Sequence, residues 1–123
     1  MTILDTYLIL ADLAGHNENA LINLIHCFAD DATLIAENDN TPYVGKVEIE
    51  QFYRSFYQQH KNTTHIWKIN QDKQTPQMMK ADWAVIGRLL DDTPFSRQGT
   101  DIAEINADNK IQKLTIASRT SVQ

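Results

Sequence analysis

At 123 residues, with 42% hydrophobic and 22% charged side chains, the chain is too apolar for disorder and sized for one domain around one core. A formal charge of -5 and 11 scattered basic residues exclude a surface that tracks nucleic-acid phosphates, and the single cysteine excludes an internal disulfide.

Helical spacing opens the chain. Ile3, Leu4, Tyr7, Leu8, Ala11 and Ala14 share one face, and Gly15 supplies a stop. This segment lacks a basic leader and carries Asp5 and Asp12, so it reads neither as a signal peptide nor as a membrane span. A cytoplasmic protein is the simplest expectation. Asn17 is placed to cap a second helix running through Leu21, Leu24, Ile25 and Phe28, which Asp30 and Asp31 would end. In that apolar company Cys27 reads as a buried small hydrophobe. A short strand is expected over 32–36, then a polar loop over 37–43 containing Asn38, Asp39, Asn40 and Pro42. Gly45 opens a third helix, with Glu48 and Glu50 near its positive dipole end and Ile49, Phe52, Tyr53 and Phe56 as a wide apolar stripe.

His60 ends that helix, where a cationic side chain meets the negative end of the dipole. The period then falls to two, predicting strands over 63–71, 77–90, 97–106 and 111–118 joined by short polar turns. The turn at Ala107, Asp108 and Asn109 has the clearest hairpin chemistry. Helices first and strands afterwards predict an α+β fold, with the helices on one face of an antiparallel sheet and one domain spanning 1–123.

Parity along each strand sorts the candidate pocket residues. In the third long strand Arg97, Gly99, Asp101, Ala103 and Ile105 share the more apolar face, which turns Asp101 inward. An inward carboxylate is costly unless hydrogen-bonded or neutral, so Asp101 is either a site residue or a structural group tied to a backbone amide or to Arg97. His65 shares a face with Trp67 and Ile69, and a simple meander would leave one strand between it and Asp101. That separation suits a ligand or waters between the two groups rather than direct contact. Met79, Ala81, Trp83 and Val85 form the inner face of the strand between, and Trp83 suits either core packing or a pocket wall. Asp30 and Asp31 diverge in direction and read as turn or capping residues. His16, His26 and Cys27 lack ligand spacing, so no metal is expected, and the dispersed glycines form no phosphate loop.

Phe28-Ala29-Asp30-Asp31-Ala32-Thr33, followed by Pro42, Gly45 and the helix with Ile49, Phe52 and Tyr53, resembles the nuclear transport factor 2-like superfamily, in its SnoaL-like and ketosteroid isomerase-like branch. The segment from Asp101 to Asn106, with Asp108, Lys110 and Ile111, is similar to the last hairpin of that superfamily. The resemblance spans nearly the whole chain and implies a cone-shaped curved antiparallel sheet wrapped around three helices of the N-terminal half. It also implies a homodimer through the outer sheet face. By this resemblance Asp101 falls where ketosteroid isomerase carries a protonated aspartate that binds the substrate oxyanion, a carboxyl kept neutral by its apolar surroundings. Tyr7 is an approximate counterpart of its oxyanion tyrosine. Ala36 stands where its general-base aspartate would be, and Glu37 would point elsewhere on a regular strand.

Two functional readings follow. One is a pocket for a small apolar carbonyl or hydroxyl compound, with cofactor-free isomerase, lyase or hydrolase chemistry. Asp101 and His65 would exchange the proton, Tyr7, Tyr53 and Trp83 would line the pocket, and Arg97 would stand at its rim. The other is a non-catalytic dimeric ligand-binding or scaffold module. Neither reading requires a cofactor, nucleic acid or membrane.

Overall fold

The computed structural model describes residues 1–37, 39 and 41–120, with side chains described to residue 118. The expected loop positions Asn38 and Asn40 lie outside the described residues. In chain order the elements are α1 (Ile3–Leu13), α2 (Glu18–Ile25), β1 (Phe28–Ala36), β2 (Tyr43–Val44), α3 (Lys46–Gln59), β3 (His60–Asn70), β4 (Met78–Leu89), β5 (Pro94–Ile105) and β6 (Ile111–Thr120). The six strands form one sheet in the order β2-β1-β6-β5-β4-β3. This is the expected α+β architecture, with one refinement: β1 and β6 pair in parallel, whereas the other pairings are antiparallel.

Local chemistry starts each helix. Thr2 caps α1 through a reciprocal box, its hydroxyl accepting from the Asp5 amide at 3.1 Å while the Asp5 carboxylate accepts from the Thr2 amide at 2.8 Å. The Asn17 side chain accepts from the Ala20 amide at 3.0 Å at the start of α2. Gly45 precedes α3 with a φ of 85°, a conformation that side-chain-bearing residues avoid. The Glu48 carboxylate then reaches back to accept from the Val44 amide at 2.9 Å.

The junction of α2 and β1 departs from expectation. α2 ends at Ile25, and β1 is already under way at Phe28. Asp30 and Asp31 are therefore not caps. They lie inside β1, both exposed, where its register against β6 shifts between Phe28 and Thr33. Asp30 pairs with Lys46 at 3.0 Å, and the Asp31 carboxylate accepts from the Gln112 side chain at 2.9 Å. Cys27 and Phe28 continue the helical spacing of α2, but the Phe28 ring is drawn onto the edges of Tyr7 and Tyr53 instead.

Alternation elsewhere follows the predicted faces. Met79, Ala81, Trp83 and Val85 of β4 and Gly99, Asp101 and Ala103 of β5 turn inward. The core joins this face to the helices through fully buried Leu4, Leu8, Leu24, Phe28, Leu34, Ile49, Ile111 and Leu114. In the last hairpin the Asn106 side chain accepts from the amides of Asp108 and Lys110, and Asn109 takes the left-handed conformation, as its turn chemistry predicts.

Candidate active site

Between α1, α3 and the inner face of the sheet lies a cavity of about 600 Å³, a volume suited to a small organic molecule. Buried Tyr7, Tyr53, Trp83, Val85 and Asp101 form its deep walls. Exposed polar groups, including Glu37, Gln51, Ser55 and Arg97, contribute its solvent-facing part. All six side chains singled out in the sequence, Tyr7, Tyr53, His65, Trp83, Arg97 and Asp101, line this one cavity.

Asp101 is 3% exposed. Its carboxylate is held not by a backbone amide or Arg97 but by the Trp83 indole N–H, which donates to Oδ1 at 2.9 Å. Gly99 makes this contact possible. A Cβ at that position would lie 2.7 Å from the Trp83 ring and 2.4 Å from the Ala117 carbonyl oxygen, so a side chain there would push the indole off β5. Asp101 also lines the cavity, and among the described residues no buried side-chain polar atom lacks a partner. Burial pushes the carboxyl up to about 7, against smaller opposing effects from the Trp83 bond and from His65.

The Tyr7 and Tyr53 hydroxyls share a hydrogen bond at 2.5 Å, within an aromatic cluster that includes Phe28. Burial raises both phenols well above their ordinary value, so they remain hydroxyl donors at neutral pH. They stand close enough to Asp101 for its charge to raise them further.

His65 has a partner that sequence reasoning did not find. Asp12, on α1, spans it with both oxygens: Oδ1 lies 2.6 Å from Nδ1, and Oδ2 accepts from the His65 backbone amide at 2.8 Å. Two turns earlier on the same helix, Asp5 accepts from the Trp67 indole at 2.8 Å. Two acids seven residues apart, beside an apolar helical stripe, were the available signal. Each ties α1 to an inward residue of β3.

Three further residues differ from expectation. His60 does meet the helix end, with Nδ1 2.9 Å from the Phe56 carbonyl, yet it is also buried, stacked on Phe56 and part of the cavity wall. The chain leaves the strand after Ala36, so Glu37 also reaches the cavity instead of pointing away. Tyr57 joins the lining and donates to the Ala11 carbonyl at 2.6 Å. Among the described residues no group of three or more His, Cys, Asp or Glu could hold a metal, and no helix is long and apolar enough to cross a membrane.

No protein-family model matches the chain, and no curated protein matches it. Solved structures do. A protein with a ketosteroid isomerase-like fold from Catenulispora acidiphila DSM 44928, in complex with trimethylamine, aligns at a TM-score of 0.77 and 17% identity, over 99% of this chain and 88% of that one. The epoxide hydrolase/cyclase-like enzyme SalBIII, which has a role in pyran ring formation in the polyether salinomycin, aligns at 0.79 and 12%, over 95% and 88%. These two likenesses show the fold. An NTF2-like protein from Exiguobacterium sp. 255-15 aligns at 0.86 and 30% identity, over 98% of this chain and 100% of that one. With identity and structural likeness at that level from end to end, the chain belongs to the nuclear transport factor 2-like (NTF2-like) family.

Proposed function

We propose that the protein binds a small, largely apolar carbonyl or hydroxyl compound and exchanges a proton with it through Asp101, as a cofactor-free isomerase, lyase or hydrolase. One observation carries this reading: a carboxyl 3% exposed, facing a cavity, with its pKa pushed up to about 7. Such a group gives and takes a proton near neutrality without large cost in either direction. One of the Tyr7 and Tyr53 hydroxyls donates to the other, which leaves the pair one neutral O–H for a substrate oxygen, and the surrounding aromatic wall favours an apolar body. The ring-forming role of SalBIII on the same fold is compatible with this chemistry.

Carboxyl-carbon NMR of Asp101 is expected to titrate near 7, and Asp101→Asn is expected to abolish turnover of the compound that mass spectrometry identifies in the purified protein. A midpoint near that of a solvent-exposed aspartate, or an Asn variant as active as the wild type, would sink the assignment.

Ala36, standing where ketosteroid isomerase has its base, favours a second reading as a ligand carrier without chemistry. Retained binding with no conversion in the wild type would select it. We also infer that two copies meet through the outer face of the sheet, where Ile66 and Ile86 are 72% and 63% exposed on adjacent strands.

A further inference from the structure

Arg97 is a charged side chain of the cavity that the Asp101 reading leaves without a role. It lines the cavity and is exposed to solvent at the same time. Among the described residues it makes no hydrogen bond and no ion pair. The other arginines with described side chains are committed. Arg54 donates to Glu18 at 2.6 Å and to Glu50 at 2.8 Å, and Arg88 donates to the Asp92 carbonyl at 2.8 Å. The planar N–H fork of Arg97 is left to solvent or to a molecule in the cavity.

β5 sets how far this fork stands from the buried acid. Arg97, Gly99 and Asp101 share its inward face, opposite Val85, Trp83 and Ala81 of β4. A strand rises about 3.3 Å per residue, so Arg97 and Asp101 leave the sheet about 13 Å apart. Gly99 puts no side chain between them, and the Trp83 ring lies over that gap. The result is an aromatic floor with a buried acid at one end and an exposed cation at the other.

Charges across the mouth decide which ion this end takes. Glu37 and Asp39 reach the cavity from beyond β1, and β6 separates β1 from β5. The Asp39 carboxylate already accepts from the Tyr43 hydroxyl at 2.8 Å. An anion in the mouth is repelled from that side and drawn to the β5 side, where a guanidinium offers a carboxylate two parallel donors.

Building on the Asp101 reading, we propose that Arg97 selects the substrate class. The substrate is a hydroxy or keto carboxylic acid whose carboxylate seats on Arg97 and whose reacting oxygen meets Asp101. Its apolar body, on the order of 10 Å long, lies over Trp83. Arg97 determines specificity and takes no part in proton transfer. Compounds with the same body and no anionic end reach Asp101 but are held less tightly.

Fluorescence titration with a hydroxynaphthoic acid that carries its two groups at opposite ends of the fused rings tests the assignment. Its primary amide and its aminomethyl analogue keep the rings and the hydroxyl, and replace the anion with a neutral group or a cation. The wild type is expected to bind the acid at least about 10-fold more tightly than either analogue. In Arg97→Gln the acid is expected to weaken at least about 10-fold while the amide binds as before. The acid-to-amide ratio is the readout, so a general loosening of the cavity, which weakens both, does not imitate the result. An amide or aminomethyl compound bound as tightly as the acid, an acid preference that survives in Arg97→Gln, or a wild type that binds none of the three would each overturn the proposal. All three compounds share the hydroxyl end, so the ratio is read independently of Asp101. An ordinary Asp101 titration midpoint would sink the acid and leave the carboxylate seat standing.

Discussion

At the scale of single residues, burial gives Asp101 its useful acidity and also makes it a liability to the fold. Its carboxyl titrates at about 7 when folded, against a reference value of 3.8. Between those values the native state binds more protons than the unfolded chain, so this group's contribution to stability falls as pH rises through that window and is flat above it. Asp101→Asn removes the ionisation and keeps an acceptor for the Trp83 indole. Urea unfolding is expected to find the variant more stable than the wild type by on the order of 4 kcal/mol at about pH 8, and nearly equal to it at about pH 4. Equal offsets at both pH values would contradict the buried-acid assignment. Parity alone was enough to turn Asp101, His65 and Trp83 inward, because a strand has only two faces. Asp12 was not legible in the same way. Its partner lies 53 residues further on, and within α1 only its seven-residue spacing from Asp5 marks it off from an ordinary solvated acid.

At the scale of elements, β5 is shaped around one missing side chain. Gly99 sits between Trp83 and the Ala117 carbonyl with no room for a methyl group on either side. One contact is a ring, which can move; the other is backbone, which resists. Gly99→Ala is therefore expected to cost about 2 kcal/mol in thermal or urea unfolding and to detach the indole from Asp101. Restored solvent access would bring the Asp101 titration down toward that of an ordinary carboxylate. A variant with unchanged stability and midpoint would show that β5 yields more readily than its contacts imply. The elements themselves were largely visible in the sequence where periodicity was long, as in α3 and the last four strands. The α2–β1 junction was not, because Cys27 and Phe28 satisfy a helical stripe and a strand start equally well. Tertiary demand for the Phe28 ring decided between them.

Across the whole molecule, the exposed pair Ile66 and Ile86 gives the outer sheet face a self-complementary apolar surface if two copies meet there. Light scattering is expected to find a dimer for the wild type and a monomer for Ile86→Lys; a wild type that stays monomeric as concentration rises would remove that inference. The parallel pairing of β1 with β6 could not be read from the chain, since partner choice between distant strands leaves no local mark. It nonetheless governs how the protein is assembled. β6 follows the other five described strands in the chain, yet it lies near the middle of the sheet, with β1 and β2 on one side and β5, β4 and β3 on the other. Without it the two halves of the sheet share no strand pairing and meet only through the helices. Tyr7 and Tyr53 can gather with the helices, but Ile116 and Ser118 of β6 are missing from the cavity wall. Completion of the cavity therefore waits for β6, and a chain cut short of residue 111 would carry Asp12, His65 and Asp101 without the part of the wall that Ile116 and Ser118 supply.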